Sequence, residues 1–95
     1  MADDLLALWT VHREAGWPAR PGPDEGALMT LDTVIAGCMT YYLDEHRLDA
    51  PRITMLQSCL ADLDALLDGV EEPALAYFMR LREMGRLLLQ SGPRA

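Results

Sequence analysis

Asp32 is the residue on which a chemical reading of this chain turns. It stands inside ALMTLDTVIAGCMTYY, residues 27–42, the most apolar stretch of the sequence. On a helix it aligns with Glu25, Met39 and His46 at intervals of seven, flanked by Leu28, Ile35, Ala36 and Leu43. A carboxylate on such a face must find a partner, or it titrates upward and takes a proton. Arg13, Arg52, Arg80, Arg82 and Arg86 are the cations within reach of a bundle interior. Arg82 is the first choice, because it borders the apolar face between Phe78 and Leu89. A Trp9 indole N–H or a tyrosine hydroxyl would also serve. The expected role is structural, a pair that fixes helix register. A solvated Asp32, or a functional one in a pocket with Tyr42 and Arg82, are the competing readings.

The other reactive residue types form no catalytic pattern. His12 continues the apolar face of the first helix, and His46 falls near the end of the second. A helical metal site wants His and carboxylates at i, i+3 or i+4 on facing helices, whereas DEH at 44–46 sets its residues side by side, facing different ways. No metal and no cofactor is expected. Ser58 has no His or acid at helical reach, and no glycine-rich loop follows a strand. Cys38 and Cys59 lie on apolar sides of their helices and read as buried thiols, bridged only if those helices meet at that level. Asp62, Asp64, Asp68, Glu71 and Glu72 form an acidic run around one turn, which reads as a solvated corner or as a docking patch for a basic partner.

These residues are positioned by helices alone. The chain has 95 residues, 51% hydrophobic and 24% charged, enough for one domain with a modest core. Proline and glycine punctuate it at GWPARPGPDEG, DAP and DGVEEP. The segments between predict helices at about 3–15, 24–48, 51–68 and 72–90, with a loop at 16–23 and a frayed tail at 91–95. Ile53, Leu56, Leu60, Leu63 and Leu67 recur at spacings of 3 and 4, and no segment alternates with period 2. The fold class is therefore all-α, a small four-helix bundle-like domain. The second helix confines its polar positions to one stripe, Thr30, Thr33, Gly37, Thr40, Asp44 and Arg47. It is accordingly expected to be a long, apolar, central helix, with part of its girth left for a second copy of the chain. Trp17, beside Pro18, is expected to fold back onto the bundle.

Charge narrows the partners. All eight cations are Arg, and the net charge is −7. Residues 24–70 hold nine acids against two Arg, while residues 71–95 balance at +1. Such a surface repels nucleic acid and anionic membranes, and attracts a basic protein. MADDLLALW lacks the positive start and long apolar run of a signal peptide, so a cytoplasmic location is expected. The function expected is non-catalytic, an acidic helical interaction or regulatory protein and a homodimer, in the manner of immunity proteins, antitoxins or small chaperones. The alternative is a small-molecule-binding or enzymatic bundle with its site around Asp32.

Overall fold

The computed structural model describes residues 2–91. Four α-helices follow in order: α1 (Ala2–Glu14), α2 (Glu25–Glu45), α3 (Ala50–Leu66) and α4 (Ala74–Ser91). A single 3-10 turn, Leu67–Gly69, extends α3, and no strand occurs among the described residues. The expected all-α, four-helix class is what the chain adopts. Of the predicted tail, Ser91 is the last residue of α4 and residues 92–95 lie outside the described range.

The helix ends have local causes. Asp49 precedes α3 in extended backbone, and its side chain accepts the Arg52 backbone N–H at 3.1 Å. Pro51 sits in the first turn, where its missing N–H costs nothing. The Arg52 guanidinium returns to the same carboxylate at 2.7 Å and lies 3.7 Å from the centre of the Tyr41 ring. This clasp ties the end of α2 to the start of α3. It also shortens α2, which stops at Glu45 and not at Leu48. His46 is a left-handed cap with φ 62°, its N–H bonded to the Tyr42 carbonyl at 2.7 Å. The chain must turn there to bury Leu48 and bring Asp49 to the next helix.

α4, more than α2, is the most enclosed element. Its exposed positions are Ala76, Met79, Glu83, Arg86 and Gln90, spaced 3, 4, 3 and 4, a stripe one residue wide. The remainder turns inward, with Tyr77, Phe78, Leu81, Met84 and Leu88 buried. α4 packs against α1, α2 and α3. Gly85 lets α3 approach, since a Cβ there would lie 2.7 Å from Leu60 Cδ2. α2 buries Leu28, Leu31, Ile35, Cys38 and Met39 but leaves Met29 and Leu43 exposed. Its apolar girth overstated its burial, because side chains at the edge of that girth are covered only in part.

The proline-rich loop between α1 and α2 is held down. Trp17 folds back onto α4, edge-on to Tyr77 and Phe78 with ring centres at 5.8 and 5.6 Å. Its indole N–H donates to Glu25 at 2.9 Å. Pro21 is buried, and Gly22 passes close to the 3-10 turn with φ 110°. A Cβ on Gly22 would meet the Gly69 carbonyl oxygen at 3.0 Å. Gly22→Ala is therefore expected to destabilise the fold by roughly 1–3 kcal/mol, from backbone strain and the close contact together. Gly16, where a Cβ meets nothing within 4 Å, is the control. Urea denaturation of the two variants should separate them; equal midpoints would show that the loop is not held at Gly22.

Candidate functional site

Three helices converge on one carboxylate oxygen. α1 contributes His12, α2 Asp32 and α4 Tyr77. Asp32 Oδ1 lies 2.8 Å from His12 Nε2 and accepts the Tyr77 hydroxyl at 3.0 Å. The hydroxyl oxygen is itself 3.2 Å from His12 Nε2, which closes a triangle. Each member arrives for a local reason. His12 lies on one helical face with Leu5, which is also buried. Tyr77 begins the inward face of α4. Asp32 lies on the side of α2 turned toward both.

The hydrogen-bond logic orders the protons. A carboxylate only accepts, so both His12 Nε2–H and the tyrosine O–H donate to it. In the neutral imidazole this leaves Nδ1 without a proton, and Nδ1 is buried with no hydrogen-bond partner. Burial, and then the Asp32 charge, push the Tyr77 hydroxyl well above its usual range, so Tyr77 remains a donor. The rings cover its His12 side, with Trp9 stacked on His12 at 6.3 Å and Tyr77 tilted against it at 4.6 Å, while the Asp32 side chain stays 20% exposed. A general base needs a nitrogen facing its substrate. His12 instead aims Nε2 at its own carboxylate and buries Nδ1. The arrangement suits a register lock between helices.

The sequence-based choice of partner for Asp32 is corrected. Arg82 pairs with Asp64 of α3, not with Asp32. Tyr77 and Arg82 are five residues apart, about 140° around the helix at ~100° per residue, so they face different neighbours. Nor does Tyr42 join Asp32, since ten residues of helix separate them by about 15 Å. Tyr42 lines a cleft of about 190 Å³ between α1 and α2, with Leu5, Leu6, Met39, Leu43 and His46. The expected grouping of Asp32, Tyr42 and Arg82 is therefore dispersed over three places. His12 and Tyr77, the actual partners, were legible only as inward-facing residues. Their signal was the polar atom each carried on an apolar face.

The acidic run divides as well. Asp62, Asp64, Asp68, Glu71 and Glu72 are all exposed around the α3–α4 turn, but Asp64 is held by Arg82. Asp62 forms one wall of an open groove of about 460 Å³ between α2 and α3, with Ala27, Thr30, Leu31, Ala65 and Leu66. Cys38 and Cys59 are free and buried, and burial raises both thiols above their ordinary range, which makes them poor nucleophiles. Among the described residues no three His, Cys, Asp or Glu cluster as metal ligands, and no helix is long and apolar enough to cross a membrane. No protein-family model, curated protein or solved structure matches the chain.

Asp32→Ala should destabilise by about 3 kcal/mol, because it leaves two donors facing an apolar gap. Tyr77→Phe should cost less, about 1 kcal/mol, as His12 still satisfies the carboxylate. Arg82→Ala, which breaks a half-exposed pair, should stay below about 1 kcal/mol. Chemical denaturation would rank the three, and an Asp32→Ala loss no larger than that of Arg82→Ala would refute the lock.

Proposed function

We propose that this protein is a non-catalytic interaction or regulatory protein that offers an acidic surface to a basic protein partner. The observation that carries this reading is a division of polar groups between inside and outside. His12, Asp32 and Tyr77, the residue types with most catalytic capacity, are bonded to one another within the bundle. Asp62, Asp68, Glu71 and Glu72 stand exposed around the α3–α4 turn, in a chain of net charge −7. An exposed field of one sign steers an oppositely charged partner and contributes little to the stability of the fold. The role is of the kind that immunity proteins, antitoxins and small chaperones fill, and its proposed setting is the cytoplasm. The separation of Asp32, Tyr42 and Arg82 weighs against the alternative, an enzymatic or small-molecule-binding bundle with its site around Asp32.

The proposal includes a homodimer. Its support is the cleft between α1 and α2, rimmed by Leu6 at 44% and Leu43 at 37% exposure. Large apolar side chains exposed together favour association. Sedimentation at micromolar concentration is expected to give about twice the monomer mass. Leu6→Glu with Leu43→Glu should return a monomer. A wild-type protein that sediments as a single 10.6 kDa species would end this part of the proposal.

The interaction reading is tested by kinetics. Association with a purified basic partner should slow steeply as salt rises, since steering acts over about 8–10 Å at physiological ionic strength. Neutralising Asp62, Asp64, Asp68, Glu71 and Glu72 together should cut the on-rate by about tenfold or more, with an unchanged circular-dichroism spectrum. An on-rate indifferent to both salt and substitution would reject the reading. So would a metabolite that stabilises wild type and the substituted protein alike.

A further inference from the structure

The groove between α2 and α3 has a chemistry that identifies its occupant. Leu31, buried, and Leu66, half-buried, lie deepest in it, and the exposed Ala27 and Thr30 of α2 and Ala65 of α3 form its small-residue walls. Around α2 from Thr30, a second depression of about 300 Å³ is lined by α2 alone, with Met29, Thr33 and Val34. The threonines here are less polar than their type suggests. Thr30 donates its hydroxyl to the Gly26 carbonyl at 3.2 Å, and Thr33 donates to Met29 at 3.0 Å. Each hydroxyl proton is used within the helix, so the side chain offers a neighbour its methyl group and no donor. Met29, 47% exposed, adds an adaptable apolar contact. The surface is apolar along its length, and it is shallow enough for a backbone to approach closely.

Its rim is acidic. Asp62 stands in the wall and makes no ion pair among the described residues. Asp24, three residues before Ala27, and Asp68, two residues after Leu66, are exposed beyond the lining at the ends of α2 and α3. None of the residues lining the groove or the second depression is cationic. A second copy of this chain would bring acid against acid. A strand has no exposed sheet edge to join, because every described element is a helix or a turn. A third helix laid between two neighbouring helices does fit, with its side chains entering the gaps between theirs.

We propose that this groove is the seat of an amphipathic helix from a basic partner. A seam of Ala and Leu would enter between Ala27, Thr30 and Ala65 toward Leu31 and Leu66, and flanking Arg or Lys would face Asp62 and the exposed Asp24 and Asp68. The inference rests on the interaction reading above and deepens it, since it moves the energetic centre from the acidic corner into the groove. The corner supplies the approach. The groove supplies the hold.

A synthetic helical peptide with an Ala/Leu seam and Arg flanks is the probe, measured against the full chain by fluorescence anisotropy and backbone NMR. Ala65→Arg, at an exposed wall position, obstructs the groove mouth and sets a cation beside Asp62; it should weaken binding by about tenfold or more. Asp62→Asn with Asp68→Asn should weaken it several-fold at low salt and make no difference at about 0.5 M salt, where exposed charges are screened. Shifts should concentrate at Ala27, Thr30, Thr33 and Ala65. Circular dichroism keeps a misfolded variant from counting as a result. If Ala65→Arg binds like wild type while neutralising Glu71 and Glu72 weakens binding, the groove is refuted and the acidic-surface reading stands. A peptide that binds neither surface, or that shifts only the cleft around Leu6 and Leu43, overturns both. An uncharged amphiphile that competes with equal affinity overturns the choice of a basic occupant.

Discussion

One oxygen atom, Asp32 Oδ1, receives donors from the first and last helices while itself standing on the second. The three residues are 20 and 45 positions apart along the chain, so nothing local brings them together. Apolar packing draws helices together with little preference for register. A hydrogen bond to a charged acceptor weakens sharply when a helix slides or rotates, so it selects one arrangement among several that packing would tolerate. The aromatic shell follows from it. Trp9 covers His12, and Trp17 covers Tyr77. Both indoles therefore limit the approach of water to a site where competing solvent would reduce the worth of each bond.

The class of fold and the number of helices were readable because spacing of 3 and 4 between apolar residues is a property of the chain itself. The need of Asp32 for a partner was equally readable, from its neighbours on one helix. The partner's identity was not. Arg82 looked better than Tyr77 by charge, but the choice depends on which side of α4 meets α2, and single-helix periodicity carries no such information. The central position of α2 was overestimated for a related reason. Its alanines, methionines and tyrosines count as apolar on a wheel yet are often half-covered in the fold. The narrow exposed stripe of α4 was the stronger signal. His46 illustrates a third limit: helical spacing continued through it, and only the clasp of Asp49, Arg52 and Tyr41 fixes where α2 ends.

Charge and packing act on separate sides of this molecule. The interior holds the Asp32 carboxylate with its own donors, and five of the nine acids of residues 24–70 gather where α2 begins and α3 ends. A small helical domain gains little stability from a surface of this kind, since like charges repel and exposed pairs are weak. Such a distribution is easier to understand as a property directed outward, toward an encounter, than as a support for the fold.

The contact between α1 and α4 has a further consequence, in the order of assembly. α2, α3 and α4 are joined by short turns and can associate as neighbours, whereas α1 reaches α4 only by closing most of the chain into a loop. That closure carries the largest entropic cost and returns its stabilisation last. α1 is thus the element whose docking completes the protein and whose release would open it first, uncovering the aromatic face of α4 while the other three helices keep their mutual contacts. The two ends of the sequence thus meet only in the finished fold, and the contact between them is the one most easily given up.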